Sequence, residues 1–390
     1  MQFLADYLEQ VKAARLYRQT VVYKPVSAAH VQLNGQTCLL LASNNYLGLT
    51  HDPAVRQAAV DAIRLYGTGA GGARLTTGTF PLYEQLEQEL AAFKGAEAAL
   101  VFNSGYMANT GIISALAGPA DVIFSDALNH ASLIDGCRLA RARVVIYRHA
   151  DMEHLAYLLQ MTACAGKRLI ITDGVFSMDG DIAPLGSIVQ IAARYKALIV
   201  VDDAHATGVL GPGGRGTAAY CGVADKVHVQ IGTLSKALGA EGGFVTGSGD
   251  LIDYLKNKAR SFIFSTALAP ATIAAALAAL RELSARPELV AKLTDNVLHA
   301  RTLLQAAKIP VPAGITPIIP VIVGDSGIAV RITSELQQQG LIITAIRPPT
   351  VPAGTSRLRL TVTAAHTREE LTAAVHAIRR TLTLCGKRRE

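Results

Sequence analysis

Cysteine is scarce in this sequence. Cys38, Cys137, Cys164, Cys221 and Cys385 are an odd number, scattered over 390 positions without any CxxC spacing, which argues against a disulfide framework and against a structural zinc site. Long apolar runs are also missing. The longest, Ala267 to Leu280, is interrupted by Pro270 and Thr272 and is shorter than the ~20 residues needed to cross a bilayer. Asp6 and Glu9 stand where a signal peptide would carry its apolar region. The expectation is a soluble, cytoplasmic protein with no membrane partner. Neither GxxxxGK[ST] nor HExxH occurs, so phosphate-loop nucleotide hydrolysis and zincin proteolysis lack their signatures. No Pro/Gly/Ser linker, low-complexity tract or internal repeat interrupts the chain.

What is present is apolar bulk. Half of the residues are hydrophobic and 17% are charged, enough to bury a large core and to exclude the disordered and coiled-coil classes. The formal net charge is +7, but the basic residues are dispersed apart from small clusters at Lys256 to Arg260 and Lys387 to Arg389. That pattern points away from nucleic acid and toward attraction for phosphorylated or carboxylated ligands.

The hydrophobic periodicity opens with an amphipathic helix through Leu4, Tyr7, Leu8, Val11 and Ala14, then a short strand at 37–42. Helices follow at 53–66 and 81–94. Strands are expected at 97–103, 121–125, 143–147, 168–174, 198–203, 227–232 and 243–246, with helices at 106–117, 130–140 and 151–162 between the earlier ones. Several strands are continuous apolar runs, as in a sheet covered on both faces. This is an α/β core of mostly parallel strands. A long Ala/Leu-rich helical region begins near Pro270, and strands at 316–323, 341–346 and 357–362 with a final helix from Arg368 make a smaller α+β unit.

Two motifs are coincidences. Gly67, Gly69 and Gly72 satisfy GxGxxG, but here the pattern follows a helix rather than a strand. Gly324, Asp325, Ser326 and Gly327 spell a serine-protease nucleophile loop, in a chain that does not read as a β-barrel.

Four segments carry chemistry. The strand at 227–232 runs into Gly232 to Gly239 (GTLSKALG), and among twelve lysines only Lys236 emerges from a buried strand into a small polar loop. There it can serve as a nucleophile that forms a Schiff base. The strand at 198–201 ends in Asp202, Asp203, Ala204 and His205. A carboxylate at that end can hold a pyridinium proton, with His205 reaching the same ring; a magnesium site on the paired aspartates is the alternative. Asn103 to Met107 (NSGYM) lead a strand into a helix whose first amides suit a phosphate, or form an ordinary cap. Asp126 to Ser132 (DALNHAS) put His130 at a helix start, as a ring to cover a planar cofactor or as a simple cap. Taken together and in this order, the four are what a pyridoxal phosphate enzyme needs.

The chain resembles the α-oxoamine synthases of the fold-type I pyridoxal phosphate class. The resemblance runs nearly end to end through Ser43 to Leu49 (SNNYLGL), Asn103 to Asn109 (NSGYMAN), Asn129 to Leu133 (NHASL), Asp173 to Asp181 (DGVFSMDGD), Val201 to Gly208 (VDDAHATG) and GTLSKALG. It implies a fold-type I transferase with an N-terminal segment at 1–50, a large pyridoxal 5'-phosphate domain with a seven-stranded, mostly parallel sheet at 51–268, and a small α+β domain at 269–390. It further implies that Lys236 bonds the cofactor, Asp202 pairs with the pyridine nitrogen, His205 touches the phenolic oxygen and His130 stacks on the ring. Gly105, Tyr106 and Thr233 would contact the phosphate, and Ser177 would be a further cofactor contact. Ser265 and Thr266 would reach the phosphate of the partner in a homodimer. Arg359 would hold the amino-acid carboxylate, Thr350 would lie near the acyl group, and Arg18, with Arg15 and Tyr17 beside it, would be the substrate arginine of the N-terminal helix.

The portion Ile346 to Pro352 (IRPPTVP) looks like the branch that joins L-alanine to pimeloyl-CoA or pimeloyl-acyl carrier protein in biotin synthesis. Sister enzymes using glycine or serine, such as glycine C-acetyltransferase and 5-aminolevulinate synthase, are the alternative. Tyr83 departs from the family, which often shows histidine there in an HxxLE pattern. A DNA-binding regulator with an aminotransferase-like domain would need a winged-helix module ahead of SNNYLGL, and Ser43 leaves no room for it.

Overall fold

The computed structural model describes residues 1–14 and 16–387; Arg15 and Arg388, Arg389 and Glu390 lie outside the described residues. The chain divides into two compact units, one formed by Leu47–Ser177 and Asp181–Val290, the other by Met1–Tyr46, Met178–Gly180 and Ala291–Glu390.

The first unit holds a seven-stranded sheet in the spatial order Ala98–Phe102, Gly243–Gly247, Val229–Thr233, Ala197–Asp202, Arg168–Asp173, Val122–Asp126, Arg143–Tyr147. Only Gly243–Gly247 runs against its neighbours. Side chains alternate across the sheet. Leu169, Ile171 and Val200 join one buried cluster with Phe102, Ile112 and Ile231, while Ile170, Ile199 and Val201 join another with Phe124, Leu155 and Ile188. This two-sided burial is why the strands read as unbroken apolar runs.

Helix starts follow local chemistry. The helix Pro53–Tyr66 has proline in its first turn, and the Asp52 carboxylate accepts from Ala54 N at 2.9 Å; both features fit a helix N-terminus. Ser104 caps Gly105–Leu116 by accepting from Met107 N at 3.1 Å. Leu185–Tyr195 is a helix that the sequence reading left out, although Leu185, Ile188, Val189 and Ala192 form its buried face at helical spacing.

The expected division at 268 and 269 is corrected. The helix Pro270–Ala285 packs on Pro53–Tyr66 and Pro81–Lys94 in the first unit, so that unit continues to Val290. The segment 1–50 is not separate either, because residues up to Tyr46 group with the C-terminal part. In that second unit, Ala364 N donates to Tyr46 O at 2.7 Å, Thr316 Oγ1 donates to Gly180 O at 2.6 Å, and Arg357 pairs with Asp179. The expected strand at 341–346 is two strands: Leu341–Ile342 runs parallel to Leu39 and Leu40, whereas Thr344–Ile346 pairs antiparallel with Arg357 to Arg359. The opening helix Gln2–Ala13 forms, but none of its residues is buried within the chain. No helix among the described residues is long and apolar enough to cross a membrane.

Candidate active site

Strand ends and one helix start bring the chemical groups together in the first unit. A cavity of about 250 Å³ is lined by Gly105, Tyr106, Asn109, His130, Ser132, Asp173, Asp202, His205, Thr233, Ser235 and Lys236, among others. Ligands of α/β folds collect at the C-terminal ends of strands, and Asp173, Asp202 and Thr233 are the last residues of theirs.

Lys236 lies three residues beyond its strand and places Nζ 2.9 Å from Nε2 of His205. Asp202 is 5% exposed. Its Oδ1 accepts from Ala204 N at 2.8 Å, and its Oδ2 accepts from Asn109 Nδ2 at 2.6 Å. Asp203 turns the other way. Its carboxylate meets Lys94 Nζ at 2.7 Å, with both side chains fully buried, so the two aspartates do not converge on one cation.

One wall of the cavity is built from backbone. A Cβ at Gly243 would come within 2.5 Å of Ser104 O and 2.7 Å of Gly105 Cα, so glycine there lets the antiparallel strand pass against the start of Gly105–Leu116. The first-turn amides of that helix at Gly105 and Tyr106 border the cavity and are donors of the kind that can take an anion. Beside it, Thr233 Oγ1 donates to Gly242 O at 2.8 Å and shares a 2.7 Å hydrogen bond with Ser235 Oγ.

His130 caps the helix Ala131–Leu139. Its backbone N–H donates to Asp173 Oδ2 at 2.7 Å, and its Nδ1 lies 2.7 Å from Ser132 Oγ. Burial holds the imidazolium below the ordinary histidine range; Asp202 opposes this and Lys236 reinforces it. Burial, then the Asp202 charge, pushes the Asp173 carboxyl well above the usual carboxylate range, against the pull of the His130 amide.

The donor set fits pyridoxal 5'-phosphate. An amine, two buried carboxylates, two imidazoles, several hydroxyls and a helix N-terminus line one cavity, matching in kind an aldehyde carbon, a pyridine nitrogen, a flat ring and a phosphate. The family model of aminotransferase class I and II matches residues 36–378. The 8-amino-7-oxononanoate synthase of Lysinibacillus sphaericus is 50% identical over 373 residues, covering 96% of each chain. That of Trichlorobacter lovleyi is 50% identical over 382 residues, covering 97% of each.

The chain belongs to the 8-amino-7-oxononanoate synthases, within the aminotransferase class I and II family.

Among solved structures, the serine palmitoyltransferase of Sphingomonas wittichii superposes with a TM-score of 0.93 at 33% identity, covering 99% of this chain and 98% of that one. The 8-amino-7-oxononanoate synthase of Francisella tularensis does so with a TM-score of 0.77 at 29% identity, covering 89% and 98%. A further neighbour, with a TM-score of 0.94 at 32% identity and covering 98% of this chain and 97% of that one, is SPT with its PLP internal aldimine. The fold is therefore fold-type I.

Not every expected site residue of this 8-amino-7-oxononanoate synthase family member lines the cavity. The Tyr106 hydroxyl donates to Asp135, so only the backbone of Tyr106 is left to face a phosphate. Ser177, Ser265 and Thr266 are not among the cavity residues; Thr266 O accepts from Asn103 Nδ2 at 2.6 Å. Arg18 and Thr350 are exposed. Arg359 belongs to the second unit, where it is 6% exposed and sets both terminal nitrogens 3.2 Å from Asn44 Oδ1. Tyr83 is buried, its hydroxyl accepts from Leu268 N at 2.9 Å, and the Arg74 guanidinium lies 3.7 Å from its ring centre. Burial pushes its phenol up to about 12. Sequence reasoning gave no role to Asn109, Ser132 or Asp173. Asp173 carried a usable signal, since it ends an apolar strand just as Asp202 does.

Proposed function

We propose that this chain catalyses the decarboxylative condensation of L-alanine with a pimeloyl thioester, giving 8-amino-7-oxononanoate, carbon dioxide and the free thiol carrier. The observation that carries this reading is identity of 50% to the synthases over 96–97% of the chain, against 32–33% to the serine palmitoyltransferase structures. The sister reactions share the cavity chemistry and differ in the acyl group and amino acid.

Bound in this cavity, pyridoxal 5'-phosphate supplies an electron-accepting ring for bonds at the amino acid's Cα. Lys236 would hold the aldehyde carbon, and L-alanine would free the amine by taking its place. The freed amine then takes the Cα proton as a general base. Asp202 keeps a proton on the pyridine nitrogen through a charge-assisted hydrogen bond. His205 would serve the phenolic oxygen, and His130 would cover the ring. The amides of Gly105 and Tyr106 would take the phosphate, with the Thr233 hydroxyl turning to it from Gly242 O. After the new carbon–carbon bond forms and carbon dioxide leaves, Lys236 returns a proton to Cα.

The resemblance assigns the remaining contacts. Arg359, buried and oriented by Asn44 in its own unit, offers a guanidinium fork for the alanine carboxylate. Arg18 and Thr350 serve the acyl substrate, and Ser177 serves the cofactor. Ser265 and Thr266 serve a partner's cofactor in a cytoplasmic homodimer.

The test is product analysis by mass spectrometry with protein, pyridoxal 5'-phosphate, L-alanine and pimeloyl thioesters of coenzyme A and of acyl carrier protein. Each methylene in an apolar pocket is worth about 1–3 kcal/mol of discrimination, so acetyl and pimeloyl chains should differ by orders of magnitude in kcat/KM. Higher kcat/KM for glycine with acetyl-CoA, or for serine with palmitoyl-CoA, would overturn the reading.

A further inference from the structure

A buried hydrogen-bonded chain links two of the cavity's groups. Asn109, on the helix Gly105–Leu116, is 1% exposed. Its Nδ2 reaches Asp202 Oδ2 at 2.6 Å and Ser132 Oγ at 2.8 Å. Ser132, also 1% exposed, meets His130 Nδ1 twice, through Oγ at 2.7 Å and through its backbone N at 3.3 Å.

The direction of the protons in this chain is set from both ends. An ionised carboxylate can only accept, so the Asn109 amide must turn its NH2 toward Asp202. That orientation leaves Asn109 Oδ1 buried without a hydrogen-bond partner. The second Nδ2 proton goes to Ser132 Oγ, which keeps its own proton to give. The Ser132 backbone N–H already points at His130 Nδ1, and a proton on that nitrogen would oppose it. Nδ1 therefore accepts, and a neutral imidazole that accepts at Nδ1 carries its proton on Nε2. The lowered proton affinity of His130 keeps the ring neutral.

We propose that Asn109 and Ser132 are positioning residues that hold His130 as its Nε2–H tautomer, in a direction set by the Asp202 carboxylate at one end and the Ser132 backbone N–H at the other, so that the ring offers the cavity a donor at Nε2. The inference rests on the reading that Asp202 and His130 serve the bound cofactor. It predicts an order of protons that is present before the cofactor binds.

The experiment uses the full chain labelled with 15N-histidine, with and without pyridoxal 5'-phosphate. Two-bond proton–nitrogen spectra report which ring nitrogen carries hydrogen, and His130→Gln identifies the His130 signals. The wild-type protein should show His130 protonated on Nε2 in both states. Ser132→Ala leaves Nδ1 only the longer 3.3 Å backbone contact, and Asn109→Ala frees the Ser132 hydroxyl to turn, so both should admit some of the Nδ1–H form, while Ser132→Thr, which keeps the hydroxyl, retains the single form. kcat should fall about tenfold in Ser132→Ala, the size of one buried hydrogen bond, and recover in Ser132→Thr. A wild-type spectrum with the proton on Nδ1 overturns the proposal, as do alanine variants that fold and keep the pure Nε2–H form. Should Ser132→Ala or Asn109→Ala fail to fold, the wild-type and Ser132→Thr spectra still decide. If the tautomer is as stated but no 8-amino-7-oxononanoate is made, it is the functional reading that fails.

Discussion

Lys236 Nζ and His205 Nε2 stand 2.9 Å apart. One proton lies between the two nitrogens, given by the lysine to Nε2 or, when the amine is free, by the ring to Nζ. The nucleophile is thus held in one orientation by a side chain from another strand end.

Lys236→Ala should lose condensation by at least about 10³-fold, since it removes both the covalent attachment and the general base. Borohydride reduction of the loaded wild-type protein, followed by peptide mass spectrometry, should place the phosphopyridoxyl group on Lys236. Finding it on another of the twelve lysines would refute the assignment.

Asp202→Asn keeps the shape of the side chain but removes the carboxylate proposed to hold the pyridine proton. Cofactor should still bind, more weakly, while kcat falls by about 10²–10³-fold, the usual cost of losing one preorganised electrostatic partner. Exchange of the alanine Cα proton with solvent deuterium should slow in parallel. Near-normal exchange would contradict the role.

How far the sequence carries can be followed at Asp202 and Asp203. Both end the same apolar run, and nothing local says which one faces the cavity. Lys94, 109 residues away, decides it by burying its ammonium against Asp203. Lys236 and His130 were legible because each follows a buried strand into a small polar loop, a pattern of neighbours along the chain. The start of Pro270–Ala285 was legible for the same reason, from Pro270. Its membership was not, because the surfaces it packs on, Pro53–Tyr66 and Pro81–Lys94, lie some 180 to 220 residues upstream. Asn109 shows a further limit: it lay inside the quoted NSGYMAN motif, but its role depends on Ser132 and Asp202, which come from two other segments.

His149 gives a pH signature. It bridges Asp126 at 2.9 Å through Nδ1 and Asp181 at 2.8 Å through Nε2. Burial alone would lower its proton affinity, but the two carboxylates overcome this and raise it from 6.5 to about 10. A group whose pKa is raised on folding stabilises fully below its unfolded value and loses that contribution as pH climbs through the folded value. The stability gap between wild type and His149→Gln, read from urea midpoints, should therefore be widest below about pH 6.5 and close as pH approaches about 10. A gap that stays constant across this window would rule out the charged bridge.

The pair Lys94 and Asp203 separates two kinds of importance. Both side chains are fully buried, and Lys94 Nζ also donates to Arg215 O at 2.6 Å while Asp203 accepts from Thr217 N. Removing one partner strands the other's charge in the interior, so Lys94→Met should cost about 3–5 kcal/mol in unfolding free energy. Lys94→Met combined with Asp203→Leu removes both charges and should recover part of that loss, the remainder being the Thr217 N–H and Arg215 O left without these partners. Gly216→Ala should imitate the single variant. Its backbone sits at φ 104°, and a Cβ there would lie 2.0 Å from Asp203 Oδ2 and 2.6 Å from Lys94 Nζ. Because Asp203 turns away from the cavity that Asp202 faces, the folded double variant should keep a kcat near that of the wild type. A stable double variant with kcat as low as that of Asp202→Asn would mean that Asp203 takes part in the chemistry after all.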